Sequence, residues 1–267
     1  MIDNEGVRKS FRSDGYVVVR SLIPRQEISI AGKLVRRVIA RFRSGEHIIN
    51  RAGISIGDFT RIFPDDNPKI NPAEWDHEPY IIRNLLSFEP LLARLFAFES
   101  IWYCASYLLD REPEDLLFHF SNLTRKSAQS GPGVRWHRDF KNTYFANESG
   151  VFLRVLIPLN SMSHINGGTT FIRGSHTRLD NSLVDSYCPD VKPGDCLIIH
   201  SKTLHGGAPN RSKFDRDLIV LQFGLKESRL RYKANELMSL SNQEQMSKFS
   251  EGVSRVSNFR LIKQVED

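Results

Sequence analysis

The sequence has no long hydrophobic run. Its longest apolar stretch, IWYCASYLL at residues 101–109, is half as long as the roughly 18 residues that a membrane-spanning helix needs. The first fifteen residues are polar and lack the apolar segment that lies at the centre of a signal peptide. We therefore expect a cytoplasmic protein with no membrane span.

Cysteine is also scarce. The three cysteines, Cys104, Cys188 and Cys196, form no C-x-x-C pair and are odd in number. This pattern argues against a disulfide framework or a cysteine-based zinc site. The three residues are therefore predicted to be buried thiols.

A concentrated basic segment is missing as well, although the formal net charge is +6. Lysine and arginine are scattered among acidic residues, and no run of five basic residues occurs. Direct binding of nucleic acid is therefore not expected. The excess positive charge serves either a small anionic substrate or solubility, and the sequence leaves both open.

The chain of 267 residues is long enough for one large domain with a sizeable core. Residues 7–20 predict a short helix and then a strand, because a β-branched run follows the turn pair Asp14-Gly15. Apolar residues recur at helical spacing over 25–42, and 81–110 is also predicted to be helical. These elements predict a helical N-terminal part over 1–114.

Residues 44–80 have a different character, because seven glycines and prolines interrupt them. So long an irregular segment inside a compact domain is usually functional or mobile. It is interpreted as a lid over a site, with a packed surface loop as the alternative. Trp75 and Tyr80 lie in this segment.

From residue 115 onward, short apolar runs alternate with glycine, proline, asparagine and aspartate. The runs lie at 116–120, 151–159, 169–172, 196–199 and 218–223. Such spacing predicts antiparallel β structure, either a sandwich or a barrel. Residues 227–267 return to polar, helix-compatible sequence. We therefore predict a single domain over 1–267, with a β core at 115–226 and a C-terminal helical extension at 227–267.

The stretch WHRDF, residues 136–140, places His137 and Asp139 two residues apart. On a strand these side chains point to the same face. An imidazole and a carboxylate on one face can share a divalent metal. A second histidine would complete the 2-His-1-carboxylate triad that is diagnostic of non-haem Fe(II) oxygenases.

Three downstream histidines are candidates for that second imidazole, namely His176, His200 and His205. We favour His205 because Arg216 follows eleven residues later, at the start of a predicted strand. Residues 216, 218, 220 and 222 of that strand share one face. An arginine that points into a β core is costly unless it is paired, and the carboxylate of a 2-oxoacid would satisfy it.

At this point the sequence resembles the phytanoyl-CoA dioxygenase-like branch of the Fe(II)/2-oxoglutarate oxygenases. FRSDGYVVVRSLIPRQEI is similar to the opening helix and strand of that family. WHRDF resembles its H-x-D motif, and INGGTTFIRGSH its N-G and P-G-S-H segment. KPGDCLIIHSKTLHGGAPN resembles its G-D, H-G and N run, and the four segments occur in the family's order over most of the chain.

The resemblance implies a double-stranded β-helix, or jelly roll, with flanking N-terminal and C-terminal helices. It also implies Fe(II), 2-oxoglutarate and O2 as cofactor and cosubstrates. His137, Asp139 and His205 would bind the iron, and Arg216 would bind the C5 carboxylate of 2-oxoglutarate. Two positions depart from the family pattern: Gly207, where a hydroxyl is common, and Arg173, where proline is common. Candidates for the second contact to the carboxylate are Thr124, Lys126 and Thr170.

The substrate pocket is expected to be formed by 44–80, 140–150 and the C-terminal helix. Its predicted walls are aromatic, namely Trp75, Tyr80, Phe140, Tyr144 and Phe145. His119 is predicted to lie either in the core or in the pocket wall. Basic residues flank the site and are interpreted as surface charges or as contacts to an anionic substrate, namely Arg125, Arg138, Lys141 and Arg154.

The function implied by the resemblance is hydroxylation of a C–H bond in a small organic metabolite, with release of succinate and CO2. Natural-product metabolism is the favoured setting, ahead of a coenzyme A thioester. Asp139 stands where halogenating relatives have glycine or alanine, so hydroxylation is expected over halogenation. The alternatives are desaturation or ring closure by the same site, a metal-binding jelly roll without oxidation, and an oxygenase acting on nucleic acid or protein. The sequence makes no prediction of oligomeric state.

Overall fold

The computed structural model describes residues 4–44, 54–55, 78–141, 145–178, 186–232 and 240–263. The helices are α1 Asn4–Asp14, α2 Arg25–Arg43, α3 Leu85–Phe88, α4 Ala93–Phe96, α5 Glu99–Leu109 and α6 Gln243–Lys263. Short 3₁₀ turns occur at Pro90–Leu92, Pro113–Asp115 and Asp139–Lys141. None of the helices in these ranges is long and apolar enough to cross a membrane.

The strands all lie between α1 and α6 in the chain. They are β1 Tyr16–Val19, β2 Ile54–Ser55, β3 Ile81–Arg83, β4 Leu116–Lys126, β5 Val134–His137, β6 Phe145–Asn147, β7 Phe152–Pro158, β8 Thr169–Ile172, β9 Ser186–Tyr187, β10 Cys196–His200, β11 His205–Gly207, β12 Arg216–Leu225 and β13 Leu230–Tyr232.

The strands form a large sheet in the order β1-β10-β7-β12-β4-β3-β2 and a smaller sheet in the order β5-β11-β8-β9. A separate ribbon pairs β13 with β6. Every pairing between these strands is antiparallel. The prediction of a mainly β jelly roll with helices at its flanks is confirmed.

The large sheet is buried on both faces, because alternate residues of its central strands enter two different cores. Ile219, Leu221 and Phe223 of β12 pack with the helices in the larger core. Leu218 and Val220 point the other way, into a smaller core between the two sheets. Two-sided burial explains why β12 is almost continuously apolar rather than alternating.

Helix α2 forms as its spacing predicts. Its buried residues recur every three or four positions and pack on the large sheet, namely Ile28, Ala31, Leu34, Val35, Val38, Ile39 and Phe42. Strand β1 also forms where it is predicted, and it pairs with β10 at the edge of the large sheet.

Two secondary-structure predictions are wrong. Residues 81–83 were expected to be helical but form β3, which pairs with β4 and extends the large sheet. Residues 230–232 were expected in a helical extension but form β13, which pairs with β6. In both cases pairing with a distant strand overrides a weak local preference. Most of the predicted lid, 44–80, lies outside the described residues, and the single-domain boundary stays a prediction.

Candidate metal centre

The two predicted histidine ligands are brought together by the smaller sheet. His137 ends β5 and His205 begins β11, and the two residues lie directly opposite each other in the antiparallel pair. Their ring centroids are 4.3 Å apart. Gly206 follows at a point where a Cβ would lie 2.9 Å from the carbonyl oxygen of Val134, so a side chain there would push the two strands apart.

Both imidazoles are oriented by backbone carbonyls. The Nδ1 atom of His137 lies 2.8 Å from the Arg135 oxygen, and Nδ1 of His205 lies 2.9 Å from the Thr203 oxygen. A carbonyl accepts but cannot donate, so each Nδ1 carries a proton, and in a neutral ring Nε2 is then the nitrogen with the lone pair. Such an orienting bond is the usual partner of a metal-binding histidine.

Asp139 supplies the carboxylate, although not from the strand that the H-x-D spacing suggested. Strand β5 ends at His137, and Asp139 begins the 3₁₀ turn that follows. Its Oδ1 lies 3.6 Å from Nε2 of His137, and its Oδ2 lies 3.8 Å from Nε2 of His205. The three side chains offer ligand atoms within 4.8 Å of one another.

The electrostatics of the cluster suit a divalent cation. Asp139 is fully buried, which raises its pKa, but Arg154 and the two histidines outweigh burial and hold the pKa below the usual range. Burial, and secondly His137, lower the pKa of His205 to about 4. At neutral pH the site therefore presents a carboxylate and a neutral imidazole at His205, which are the forms that bind metal.

The other candidate histidines do not join this cluster. His200 packs against Phe11 and His176, and Nε2 of His176 lies 3.1 Å from the Arg12 oxygen. Over the part of the chain that the structure describes, His137, Asp139 and His205 are the only group of three such residues placed to hold a metal. The donor set is the facial triad of non-haem Fe(II) oxygenases.

A second charged site lies where β4 and β12 meet. Lys126 ends β4 and lies opposite Arg216, which begins β12, and both side chains are buried. The Lys126 ammonium donates to the carbonyl oxygens of Gly167 at 2.9 Å and Ala208 at 2.6 Å. Neither cation forms an ion pair with any acidic residue in the described ranges.

Arg216 is only partly satisfied in this position. Its Nη2 has one long contact, 3.4 Å to the Gly167 oxygen, while Nε and Nη1 have no hydrogen-bond partner among the residues described. Buried donors are almost always paired, so two unpaired donors on one guanidinium indicate a missing acceptor. Burial, and secondly the charge of Arg216, hold the pKa of Lys126 well below its usual value.

The neighbouring residues show why Lys126 is the best placed of the three candidates for a second contact. A Cβ added at Gly207 would lie 3.1 Å from Nζ of Lys126, so the ammonium stands beside the position where a hydroxyl was expected. Thr170 makes a long contact, 3.5 Å, to the Gly168 oxygen, and Thr124 is half-buried on β4 opposite Leu218.

The predicted pocket residues fall into two groups. Tyr80 is buried and interacts electrostatically with Arg216, and Phe140 follows Asp139 in the 3₁₀ turn. Phe145 belongs to β6, but its side chain is not described. Trp75 and Tyr144 lie outside the described residues.

Two of the basic residues near the site, Arg125 and Arg138, are held by contacts within the protein. Arg125 forms ion pairs with Glu78, Asp215 and Asp217. Arg138 donates to the carbonyl oxygens of Ser175 and Lys202. These contacts give both residues a structural role rather than a place in a substrate pocket.

Arg154 makes a contact that the sequence did not predict. It was predicted to line the substrate pocket, yet its Nη1 lies 2.9 Å from Oδ1 of Asp139. The available signal was an arginine inside the otherwise apolar run VFLRVLIPL. Its partner was not predictable, because Asp139 lies on a different element.

The family model described as phytanoyl-CoA dioxygenase (PhyH) matches residues 11–218. The chain belongs to the phytanoyl-CoA dioxygenase family. The dioxygenase aneA of Aspergillus aculeatus is 31% identical over 104 residues, which are 34% of this chain and 35% of that protein. The match therefore spans about a third of that relative's length.

Two further proteins are similar to this family member over a larger part of its chain. The Fe(II)/2-oxoglutarate-dependent dioxygenase nvfF of Aspergillus novofumigatus is 24% identical over 217 residues, covering 78% of this chain and 67% of that one. The crystal structure of the epimerase SnoN, in complex with Fe3+, alpha ketoglutarate and nogalamycin RO, has a TM-score of 0.65 at 17% identity. That likeness covers 88% of this chain and 87% of SnoN and shows a shared fold.

Proposed function

We propose that this protein is an Fe(II)- and 2-oxoglutarate-dependent dioxygenase that oxidises a C–H bond of a small organic metabolite. The observation that carries the proposal is the pair of sites within one jelly roll. One is a His-Asp-His cluster in which Asp139 and His205 are buried, and the other is a buried guanidinium with two nitrogen atoms that lack a partner among the described residues. A metal-binding module without oxidation would not need the second site.

In this proposal His137, Asp139 and His205 would hold Fe(II), each through one side-chain atom. Arg216 binds the distal carboxylate of 2-oxoglutarate through Nε and Nη1, and Lys126 adds a second cation. When bound, iron, 2-oxoglutarate and O2 would supply the oxidising chemistry, in which one oxygen atom of O2 enters succinate as CO2 is released and the other enters the hydroxylated product. The protein contributes binding, orientation and exclusion of water.

The smaller core performs the exclusion of water. Leu156, Leu218 and Val220 lie between the two sheets, on the same side of the large sheet as Arg154 and Arg216. An apolar floor of this kind strengthens the charge interactions of the cosubstrate, because fewer water molecules screen them.

The substrate class rests on the relatives. SnoN carries nogalamycin RO together with iron and alpha ketoglutarate, which supports a natural-product substrate for this chain as well. Hydroxylation is the proposed outcome, since Asp139 fills the third protein position at the metal. SnoN is named an epimerase, so the shared fold alone does not distinguish hydroxylation from other oxidative outcomes such as desaturation or ring closure.

The test is an anaerobic titration of the protein with Fe(II) and then 2-oxoglutarate, followed through the weak visible metal-to-ligand charge-transfer band. We expect a band in the wild type, none in His137→Ala, and a band that needs far more 2-oxoglutarate in Arg216→Met. His164→Ala is the matched control, because His164 is exposed and lies outside the cluster. A folded, metal-loaded wild type without the band would contradict the proposal and favour a binding module.

A further inference from the structure

Four polar residues form a buried line that leads from the metal cluster into the large sheet. Arg154 contacts Oδ1 of Asp139 through Nη1 at 2.9 Å. Its Nε donates to Oε1 of Gln222 at 3.2 Å, and Nε2 of Gln222 lies 3.1 Å from Nδ1 of His119. All four side chains are buried, so each contact is made away from bulk water.

The contact between Arg154 and Asp139 is an ion pair, and the directions of the two hydrogen bonds made by Gln222 are determined. The Gln222 carbonyl accepts from Arg154, so its amide nitrogen faces His119 and can only donate. Nδ1 of His119 must therefore accept, which places the imidazole proton on Nε2. Burial lowers the pKa of His119 to about 3, so the ring is neutral and able to accept.

The backbone is shaped to bring these residues together. Gln222 lies opposite Arg154 on β7 and opposite Phe120 on β4. The next residue of β12, Phe223, lies opposite Phe118, so His119 is the extra residue of a β-bulge. Bulges redirect a side chain and are frequent beside active sites.

A glycine completes the arrangement. A Cβ at Gly224 would lie 2.6 Å from Cε1 of His119, closer than real side chains approach. The bulge and Gly224 therefore make room for the His119 imidazole. That imidazole contacts Gln222, which in turn contacts Arg154. The proposed roles of the iron ligands and of the cosubstrate site do not require the bulge at His119 or the glycine at position 224.

We infer that Arg154 is a positioning residue that holds Oδ1 of Asp139 and would leave Oδ2 as the oxygen that binds iron. Gln222 and His119 fix the guanidinium in that position. The inference rests on the proposed iron site. A carboxylate bound through one oxygen leaves the open coordination positions that the cosubstrates need, whereas a carboxylate free to turn would occupy two positions.

The inference predicts a specific effect of Arg154→Met, a variant that keeps length but removes the charge. Asp139 then has no cation until the metal arrives, so metal binding should raise the melting temperature more than it does in the wild type. With the 2-oxoglutarate complex formed, the charge-transfer band should move to longer wavelength, because a carboxylate without Arg154 donates more charge to iron. Arg154→Lys should restore part of both properties, and Gln222→Met should show smaller changes of the same sign.

Arg125→Met is the matched control, because Arg125 is also a buried arginine paired with a buried aspartate, Asp217, but away from the metal cluster. It should lower the melting temperature equally with and without Fe(II) and leave the band in place. All measurements are made on the full chain, anaerobically and without substrate, so a substrate contact of Arg154 has no influence.

The outcomes separate this inference from the proposed function. A wild type that binds no Fe(II) overturns both. The inference alone is overturned by a different result. In that case the wild type shows the band, and Arg154→Met and Arg125→Met have the same band position and the same metal-induced stabilisation. If Arg154→Met does not fold, Arg154→Lys and Gln222→Met carry the same comparison, and two unchanged proteins again overturn it.

Discussion

Replacing Lys126 with methionine tests whether a second buried cation contributes to cosubstrate binding. An ammonium group has three donors, and Lys126 uses two of them on the oxygens of Gly167 and Ala208. One donor is left for a ligand. Arg216, in contrast, has two unpaired nitrogen atoms available. The structure therefore predicts that the two residues contribute unequally.

The expected magnitudes follow from these donors. One charge-assisted hydrogen bond contributes about 1.5–3 kcal/mol, so Lys126→Met should weaken 2-oxoglutarate binding roughly 10- to 100-fold. Loss of a buried cation that makes two such bonds costs about 3–5 kcal/mol. Arg216→Met should therefore weaken binding by roughly 10²- to 5 × 10³-fold. Both affinities are measured by calorimetry on anaerobic, Fe(II)-loaded protein.

The same titration has a predicted pH dependence. Burial and Arg216 lower the pKa of Lys126 in the free protein, and the carboxylate of the cosubstrate raises it again in the complex. Between the two pKa values, binding takes up a proton, so affinity falls as the pH rises through that window. Repeating the calorimetry in buffers of different ionisation enthalpy measures this uptake, which Lys126→Met should abolish.

Two results would refute this reasoning. One is a Lys126→Met protein with wild-type affinity and unchanged proton uptake. The other is a Thr170→Val protein with a larger loss than Lys126→Met, since Thr170 carries no charge and contacts the Cys188 thiol and, at 3.5 Å, the Gly168 oxygen.

Three further predictions concern neighbouring parts of the molecule. In the double variant Lys126→Ala/Gly207→Ser, the serine hydroxyl enters the space that the ammonium occupied. The double variant should therefore bind 2-oxoglutarate more tightly than Lys126→Ala alone. Equal affinities of the two variants would mean that the two positions do not share a ligand. Gly224→Ala should lower the free energy of unfolding by about 1–3 kcal/mol in denaturant titrations, because its Cβ meets the bulged histidine. Gly252→Ala, with open space around it in α6, should instead be neutral or stabilising by up to about 1 kcal/mol. Phe140→Ala should alter substrate use but not substrate-free succinate formation, and equal loss of both would contradict its place in the pocket wall.

The predictable parts of the fold are those whose signal is local. Helix α2 carries its own apolar stripe, and the apolar runs of β7, β10 and β12 are bounded by turn residues. The triad was predictable for another reason, because ordered motifs carry information that periodicity lacks. His205 was favoured through Arg216; the structure places His205 beside His137 and Asp139 and buries Arg216, and the role of Arg216 stays a prediction.

The unpredictable parts depend on strand register. β3 has three residues and no periodicity of its own, and it exists because β4 offers an edge to pair with. The contact between Arg154 and Asp139 joins β7 to a turn after β5. The bulge at His119 appears only when β4 is aligned against β12. No window of the sequence contains both partners of any of these contacts.

Strand β12 has a consequence for how this protein can change. Arg216 at its start and Gln222 farther along lie on one face, while Ile219 and Leu221 between them face the helices. A slip of one residue would turn Arg216 toward the helix-facing core and would put an aspartate in its place, and Leu221 or Phe223 in place of Gln222. The spacing between Arg216 and Gln222, about 20 Å for six residues of strand, is thus set by a single element. New substrates are therefore expected to be accommodated by changes in the connecting segments. Insertions and deletions within β12 are not expected to be tolerated, because they would change the spacing between Arg216 and Gln222.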